Sequence, residues 1–142
     1  MRRGLTLVEL LLVVAIVGLL TAIGFPRLSG ALRRATVRNA AQHLVAAHTR
    51  ARLLATVQGR VILLTFHPDS LTIQAIDGVD TLPVWQEPGP AASGVSLTGP
   101  THPIVFVPTG LTHGLVNGTW TVSSGSVARS IVVSRAGRVR VQ

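Results

Sequence analysis

The chain has 142 residues, a formal net charge of +8 and no cysteine, and 47% of its residues are hydrophobic. This length allows one ordinary domain and an extended element but not two independent cores, and the lack of cysteine excludes disulfides and thiolate metal sites. All basic residues are arginine, and no acid occurs from Pro88 to Gln142. This balance favours an anionic partner such as nucleic acid, phospholipid or an acidic protein surface. A GC-rich genome is an alternative explanation of the arginine usage, but it does not explain the acid-free C-terminal third.

The first predicted element is an apolar helix. The apolar run extends for 21 residues from Leu5 to Phe25 and carries a single charge, Glu9. It is long enough to cross a hydrocarbon core of roughly 30 Å, and too long for the apolar stretch of a secretory signal peptide. A carboxylate inside lipid costs on the order of 2.5 kcal/mol or more unless it is paired. Because the run itself contains no Lys or Arg, we expect a cation from elsewhere to pair with Glu9.

The segment from Gly4 to Leu10, GLTLVEL, resembles the prepilin processing motif of type IV pilins and type II secretion pseudopilins. In that family a dedicated peptidase cuts after the glycine, the new N-terminus is methylated, and the apolar helix stays in the mature protein. The resemblance implies cleavage between Gly4 and Leu5, and N-methylation of Leu5. It also implies that Glu9 pairs with the α-amino group of a neighbouring subunit. The family usually has Phe where this chain has Leu5, and we expect this apolar replacement to be tolerated.

Leader, location and partners follow from the same resemblance. Residues 1–4 form the expected leader, and its two arginines suit a cytoplasmic position. Arg27, Arg33 and Arg34 follow the apolar run, so charge alone does not decide the orientation. The family implies a single-pass protein of the inner membrane with its C-terminal domain on the periplasmic side. The implied partners are other pilins or pseudopilins, met through the N-terminal helix, and the prepilin peptidase.

Residues 26–59 are expected to form the amphipathic half of the same helix. Pro26 lacks a backbone donor and clashes with the preceding turn, so a kink or local melting is predicted between about Gly18 and Pro26. Gly59 is the predicted C-terminal cap. Apolar residues recur at helical spacing in a stripe made of Leu44, Ala47, His48, Ala51, Leu54 and Ala55.

From residue 60 to residue 142 the pattern changes to short β-rich runs, which predict a globular domain. The predicted strands are Val61–Phe66, Leu71–Ile76, Thr81–Trp85, Ile104–Val107, Thr119–Ser123, Arg129–Ser134 and Arg138–Val141. Residues 86–94, QEPGPAASG, are expected to form an exposed loop. The predicted fold class is α+β and type IV pilin-like. A long N-terminal helix, transmembrane over residues 5–25, packs on a C-terminal antiparallel β-sheet domain.

The last hairpin concentrates arginine. A two-residue turn at residues 136–137 would place Arg135 opposite Arg138 and Val133 opposite Arg140. The three arginines would then share one face of the sheet. Like charges directly opposite one another are destabilising unless an anion lies between them. The pattern therefore predicts an anion at this hairpin.

Residues 129–140, with 106–110 and 118–119, resemble the C-terminal domain of the GspH/FimT pseudopilin family, and the helix end at residues 51–59 fits the same family. Some members of the FimT branch bind DNA during uptake through a Gly-Arg-x-Arg motif, which residues 137–140 match. The resemblance therefore implies a possible DNA-binding site. Its candidate residues are Arg135, Gly137, Arg138 and Arg140.

No catalytic site, metal site or cofactor is expected. His43 and His48 are five residues apart, which places them on different helix faces, and no H-x-x-x-H pair occurs. His48, on the apolar stripe, is expected to be a core residue whose ring nitrogens are satisfied. The serines do not form a G-x-S-x-G elbow, and no pair of acids has acid–base spacing. We therefore do not expect an enzyme.

Two functions stay open at this point. The first is a structural role, as a minor pseudopilin of a type II secretion pseudopilus or of a type IV pilus. The second adds DNA binding during uptake for natural transformation. An ordinary single-span membrane protein with a periplasmic β domain is a third alternative, and Glu9 close to the Gly4 of the prepilin-like motif disfavours it.

Overall fold

The computed structural model describes residues 6–114 and 118–142, without the side chains of Ile23, Gly24 and Pro26. The described chain forms two compact units, residues 1–34 and residues 35–142. The predicted processing site at Gly4 and Leu5 lies outside the described residues. Cleavage and methylation there stay predictions.

Helix α1 spans Leu7–Gln58, 52 residues in all. Gly59 follows it with φ of 62°, which confirms the predicted C-terminal cap. The helix is continuous through Pro26, so the predicted local melting is not found, while a kink at Pro26 stays a prediction.

The first unit exposes an apolar helical surface. The large apolar side chains of α1 between Leu7 and Leu20 are all exposed to at least 49%. An 18-residue window of α1 has a mean hydropathy of 2.6, which is long and apolar enough to cross a membrane. This agrees with the predicted apolar half of the helix.

The described part of the second unit contains nine strands in two sheets. They are β1 (Ile62–Phe66), β2 (Ser70–Asp77), β3 (Asp80–Pro88), β4 (Ser96–Thr98), β5 (Ile104–Phe106), β6 (Thr112–His113), β7 (Gly118–Ser124), β8 (Val127–Val133) and β9 (Val139–Val141). One sheet has the order β3-β2-β1-β5-β6 and the other the order β4-β7-β8-β9. Every pairing is antiparallel. The predicted α+β fold is confirmed. The strands form two sheets, whereas one was predicted, and the short strands β4 and β6 were not predicted.

One hydrophobic cluster joins the C-terminal part of α1 to strands of both sheets. The predicted stripe on the helix is confirmed, since its residues are buried except for the half-buried Leu54. Trp120 of β7 is the largest buried side chain. Its indole N–H donates to the carbonyl of Pro100 at 3.0 Å, and its ring meets Phe66 edge-on at 5.3 Å. All buried apolar residues of the described chain lie between Val37 and Val133.

The predicted loop at residues 86–94 is wrong in its secondary structure, although most of the segment is exposed as predicted. Strand β3 continues to Pro88, and a 3-10 helix occupies Pro90–Ser93. Gly89 is buried because its backbone lies against the turn after β1, and its N–H donates to the carbonyl of Asp69 at 2.9 Å. The proline and glycine content of residues 86–94 suggested a loop. Residues 86–88 instead pair with β2, and the N–H groups of Gly89 and Ala91 donate to the turn after β1.

A candidate anion-binding cleft beside the last hairpin

Glu9 lies in the first turn of α1 and is exposed. Its backbone N–H donates to the hydroxyl oxygen of Thr6 at 3.3 Å. Thr6 and Glu9 therefore have the spacing and one of the two hydrogen bonds of a capping box, a local role that the sequence reasoning missed. Glu9 forms no ion pair within residues 6–114 and 118–142. Its pairing with a neighbouring subunit stays a prediction.

The last hairpin has a different register from the predicted one. Val133 pairs with Val139, and Val132 pairs with Arg140. The N–H of Ser134 donates to the carbonyl of Arg138 at 2.9 Å, so three residues, 135–137, form the turn. The assumption of a two-residue turn was wrong, because Gly137 (φ 68°) supplies the left-handed position of a three-residue turn. Changing the register by one residue changes the cross-strand partner of every residue in the pair.

The corrected register keeps two arginines together and separates the third. Arg140 lies on β9 and Arg138 directly before it. The two alternate with Val139 and Val141, so they share the outer face, while the valines pair with buried residues of β8. Arg135 lies in the turn, exposed, and not opposite Arg138. The predicted pair of directly opposed arginines is therefore not formed.

Hydroxyl groups cover much of the same outer face. Thr121 pairs with Ser130, and their hydroxyl oxygens lie 3.2 Å apart. Thr98 and Ser96 of β4 pair with Thr121 and Ser123 of β7, which extends the row to the far edge of the sheet. No acid occurs on these four strands. The face combines hydrogen-bonding hydroxyls with two arginines.

Two side chains outside the hairpin hold its turn in place. The hydroxyl of Thr112, on β6, donates to the carbonyl of Arg135 at 2.6 Å. The guanidinium of Arg52, on α1, donates to the carbonyl of Gly137 at 3.4 Å. The turn is thus tied to the helix and to the five-stranded sheet as well as to its own strands.

Two glycine turns meet at Arg52. A Cβ at position 137 would lie 3.2 Å from the carbonyl oxygen of Gly110, and a Cβ at position 110 would lie 3.4 Å from Nε of Arg52. Both glycines have positive φ, 68° at Gly137 and 76° at Gly110. The backbone needs glycine at both positions for its conformation and for this close approach.

A cleft opens between α1 and β9. Its volume is about 330 Å³, and it is lined by His48, Thr49 and Arg52 of α1 and by residues 137–140. A second cleft of about 380 Å³ lies on the outer face and also includes Arg138 and Arg140. The ion pairs of residues 35–142 that the structure describes join His43 to Glu87, Arg60 to Asp77 and His67 to Asp69. The three cleft arginines thus have no carboxylate partner there, and the cleft suits an anion.

His48 lies beneath this cleft and is 98% buried, with its ring edge-on to Phe106 at 5.0 Å. Neither of its ring nitrogens has a hydrogen-bond partner among the described residues, so the expectation of a satisfied core histidine was wrong. Burial lowers the pKa of His48 to about 4, and the positive charge of Arg52 acts in the same direction. His48 is therefore uncharged at neutral pH.

The sequence reasoning found Gly137, Arg138 and Arg140 but missed Arg52. The position of Arg52, four residues after His48, places it beside the buried stripe. Its contact with Gly137 spans 85 positions of sequence. No local pattern could have indicated that contact.

Comparisons with known proteins are consistent with this structure. Residues 40–137 match the family model of the type II transport protein GspH, and residues 1–25 match the prokaryotic N-terminal methylation motif. The pilin-like protein PilA1 of Thermus thermophilus is 30% identical over 162 aligned positions, with 99% of each chain covered.

Solved structures share the fold. The type IV minor pilin FimU of Pseudomonas aeruginosa aligns with a TM-score of 0.65 and 21% identity, over 77% of this chain and 90% of that one. The minor pseudopilin EpsH from the type 2 secretion system of Vibrio cholerae aligns with a TM-score of 0.61 and 11% identity, over 75% of this chain and 95% of that one.

Proposed function

Because the chain belongs to the GspH family of minor pilins and pseudopilins, we propose that it is a structural subunit of a type II secretion pseudopilus or a type IV pilus. The observation that supports the proposal is the exposed apolar surface of the first half of α1, together with its single acid, Glu9. The apolar side chains of this half are exposed, and its one acid has no partner in the described part of the chain. In a filament, neighbouring helices would cover the apolar surface, and Glu9 would meet the α-amino group of Leu5 in another subunit.

The capping contact at Thr6 allows a sharp test of Glu9. Gln can replace Glu in a capping box but carries no charge. We therefore expect Glu9→Gln and Glu9→Ala to lower incorporation into sheared filaments alike, with both variants still present in the membrane fraction. Thr6→Ala removes the cap, keeps the charge and should assemble normally. If Glu9→Gln assembles as the wild type does, Glu9 acts as a cap and the proposed pairing is wrong.

Processing and location belong to the same proposal. A peptidase would cut after Gly4, which removes two arginines and changes the formal net charge from 13 − 5 = +8 to 11 − 5 = +6. The apolar half of α1 would remain as a single inner-membrane anchor, with residues 35–142 on the periplasmic side. Intact-mass analysis of the native protein tests the cut and the methyl group. An uncut N-terminus beside an active prepilin peptidase would contradict the proposal.

DNA binding is the second candidate function, and the arginine edge of the four-stranded sheet favours it. Arg140 lies exposed on β9 and Arg138 lies exposed directly before it, at the edge of an acid-free sheet rich in hydroxyls. Arginine offers planar, bidentate donors to phosphate. Arg135, at the exposed tip of the turn, is positioned to add a third phosphate contact. We propose weak, sequence-independent binding of DNA, in uptake for natural transformation.

The test uses residues 28–142, which include all the buried apolar residues of the described chain, and a fluorescent duplex titrated over a range of salt concentrations. Three phosphate contacts limit the slope of log K against log salt to about −3. The hairpin has no aromatic residue for base stacking, so duplex should bind at least as well as single strands. Arg138→Gln with Arg140→Gln should abolish binding with little change in Tm. Arg33→Gln with Arg34→Gln, which removes the same charge from α1, is the matched control. Absence of wild-type binding at low salt would refute this function and leave the structural role intact.

A further inference from the structure

We infer that the cleft between α1 and β9 is a phosphate subsite, in which Arg52 of the helix is a ligand beside Arg138 and Arg140. The inference rests on the proposed DNA binding, because it names where one phosphate of the strand lies. It adds a residue from a different element to the site.

The first support is the position of Arg52. Its guanidinium uses one of its five donors on the carbonyl of Gly137. The remaining donors are free of ion pairs within the described chain, and Arg52 lines the same cleft as Arg138 and Arg140. The hydrogen bond to Gly137 holds the guanidinium beside the turn, so less side-chain entropy is lost when an anion binds.

The second support is the geometry of the walls. Arg52 of the helix lines one wall of the cleft, and Arg138 and Arg140, directly before and within the edge strand β9, line the other. A tetrahedral phosphate presents oxygens in several directions, so it can accept hydrogen bonds from both walls at once. A planar carboxylate has two oxygens in one plane and satisfies fewer of these donors. The volume of about 330 Å³ is ample for one phosphate group.

The third support is the charge of the surroundings. Three arginines line a cleft that no described carboxylate neutralises. The buried His48 is uncharged at neutral pH and its ring nitrogens are shielded from solvent, so it adds no positive charge to the cleft. The positive charge that attracts an anion therefore comes from the arginines.

The test uses the full chain in a nonionic detergent and a labelled duplex over a range of salt concentrations. Arg52→Gln should weaken binding about tenfold at low salt, as expected for the loss of one charged hydrogen bond. Because Arg52 shares its phosphate with Arg138 and Arg140, the magnitude of the salt slope should fall by less than the roughly 0.9 of one whole phosphate contact on duplex DNA. Arg52→Lys, which keeps a point charge, should retain most of the affinity. Arg50→Gln is the matched control, because Arg50 lies on the same helix but stacks over Trp85 at 5.1 Å.

NMR distinguishes direct contact of Arg52 with the phosphate from a role of Arg52 only in positioning the turn. The Nε–H resonance of Arg52 should shift on titration with inorganic phosphate and with duplex at constant ionic strength. Arg138→Gln with Arg140→Gln should weaken the response to phosphate and abolish the response to duplex. A wild-type protein that binds duplex while the Arg52 resonance stays unmoved, or an Arg52→Gln affinity at low salt equal to that of the wild type, would overturn the inference alone. A shift with phosphate but not with duplex would overturn the place of the cleft in DNA binding. No duplex binding by the wild type would overturn the DNA function on which the inference rests.

Discussion

Replacing His48 with phenylalanine should stabilise the globular unit and remove a pH dependence. The unfolded chain takes up a proton on His48 near its ordinary pKa of 6.5, whereas burial lowers the pKa in the folded protein to about 4. Between these values the unfolded state binds more protons. Folding stability is therefore complete above about pH 6.5 and is lost as the pH falls towards 4.

The lowering from 6.5 to about 4 corresponds to a loss of about 3 kcal/mol across that window. Phenylalanine keeps the edge-on contact with Phe106 and carries no ring nitrogen. At pH 7 the substitution should add about 1 kcal/mol, because two buried nitrogens without partners disappear. At pH 4 the advantage of the variant should reach about 4 kcal/mol.

Urea unfolding of residues 28–142 between pH 7 and pH 4 measures both effects. His102→Gln, a substitution at an exposed histidine, keeps His48 and should keep the wild-type profile. Parallel stability profiles of the wild type and His48→Phe between pH 6.5 and pH 4 would refute the pH dependence assigned to His48. A variant that is less stable at both ends of the range would refute the cost assigned to its buried nitrogens.

Two further substitutions test the packing that supports the site. Gly137→Ala should cost about 1–2 kcal/mol for the left-handed backbone, plus the energy of its 3.2 Å contact with Gly110. Gly78→Ala has a similar φ but no atom near the added Cβ, so its loss of stability in thermal unfolding measures the backbone cost alone. Equal losses of stability in the two variants would rule out a packing role for Gly137. Trp120→Phe should cost about 1–3 kcal/mol, because the carbonyl of Pro100 loses its buried donor and a cavity forms. A loss under about 0.5 kcal/mol in urea unfolding would show that water replaces the indole.

Much of the fold was predictable because its signals are local. The stripe from Leu44 to Ala55 repeats at helical spacing, and each of its residues meets the same environment on one helix face. Gly59 ends α1 for a local reason as well, because glycine readily adopts the left-handed conformation that caps a helix. Strands β1, β2, β3, β5 and β7 were predicted from their alternating or continuous apolar residues. Their observed ends lie within a few positions of the predicted ends. The two-residue strand β6 and the three-residue strand β4 are too short to show such a period.

The register of the last hairpin could not be predicted from neighbouring residues. Residues 135–138 allow a two-residue or a three-residue turn, and the two differ by one position in register. Burial decides between them, because only the observed register sets Val139 and Val141 opposite the buried Val133 and Ile131. The pairing of Arg135 with Arg138 was therefore wrong, although the outer position of Arg138 and Arg140 was right.

The sequence by itself determined the apolar helix with its one acid, the amphipathic stripe, the α+β class and the outer position of Arg138 and Arg140, since each depends on the spacing of neighbouring residues. Only the tertiary structure decided the register of the last hairpin, the unpartnered burial of His48 and the place of Arg52 beside Gly137. Helix α1 and the last hairpin are far apart in the chain, and they meet because both bury apolar faces in one core. Their polar edges are brought together as a consequence of that burial, and no pattern within either segment encodes it.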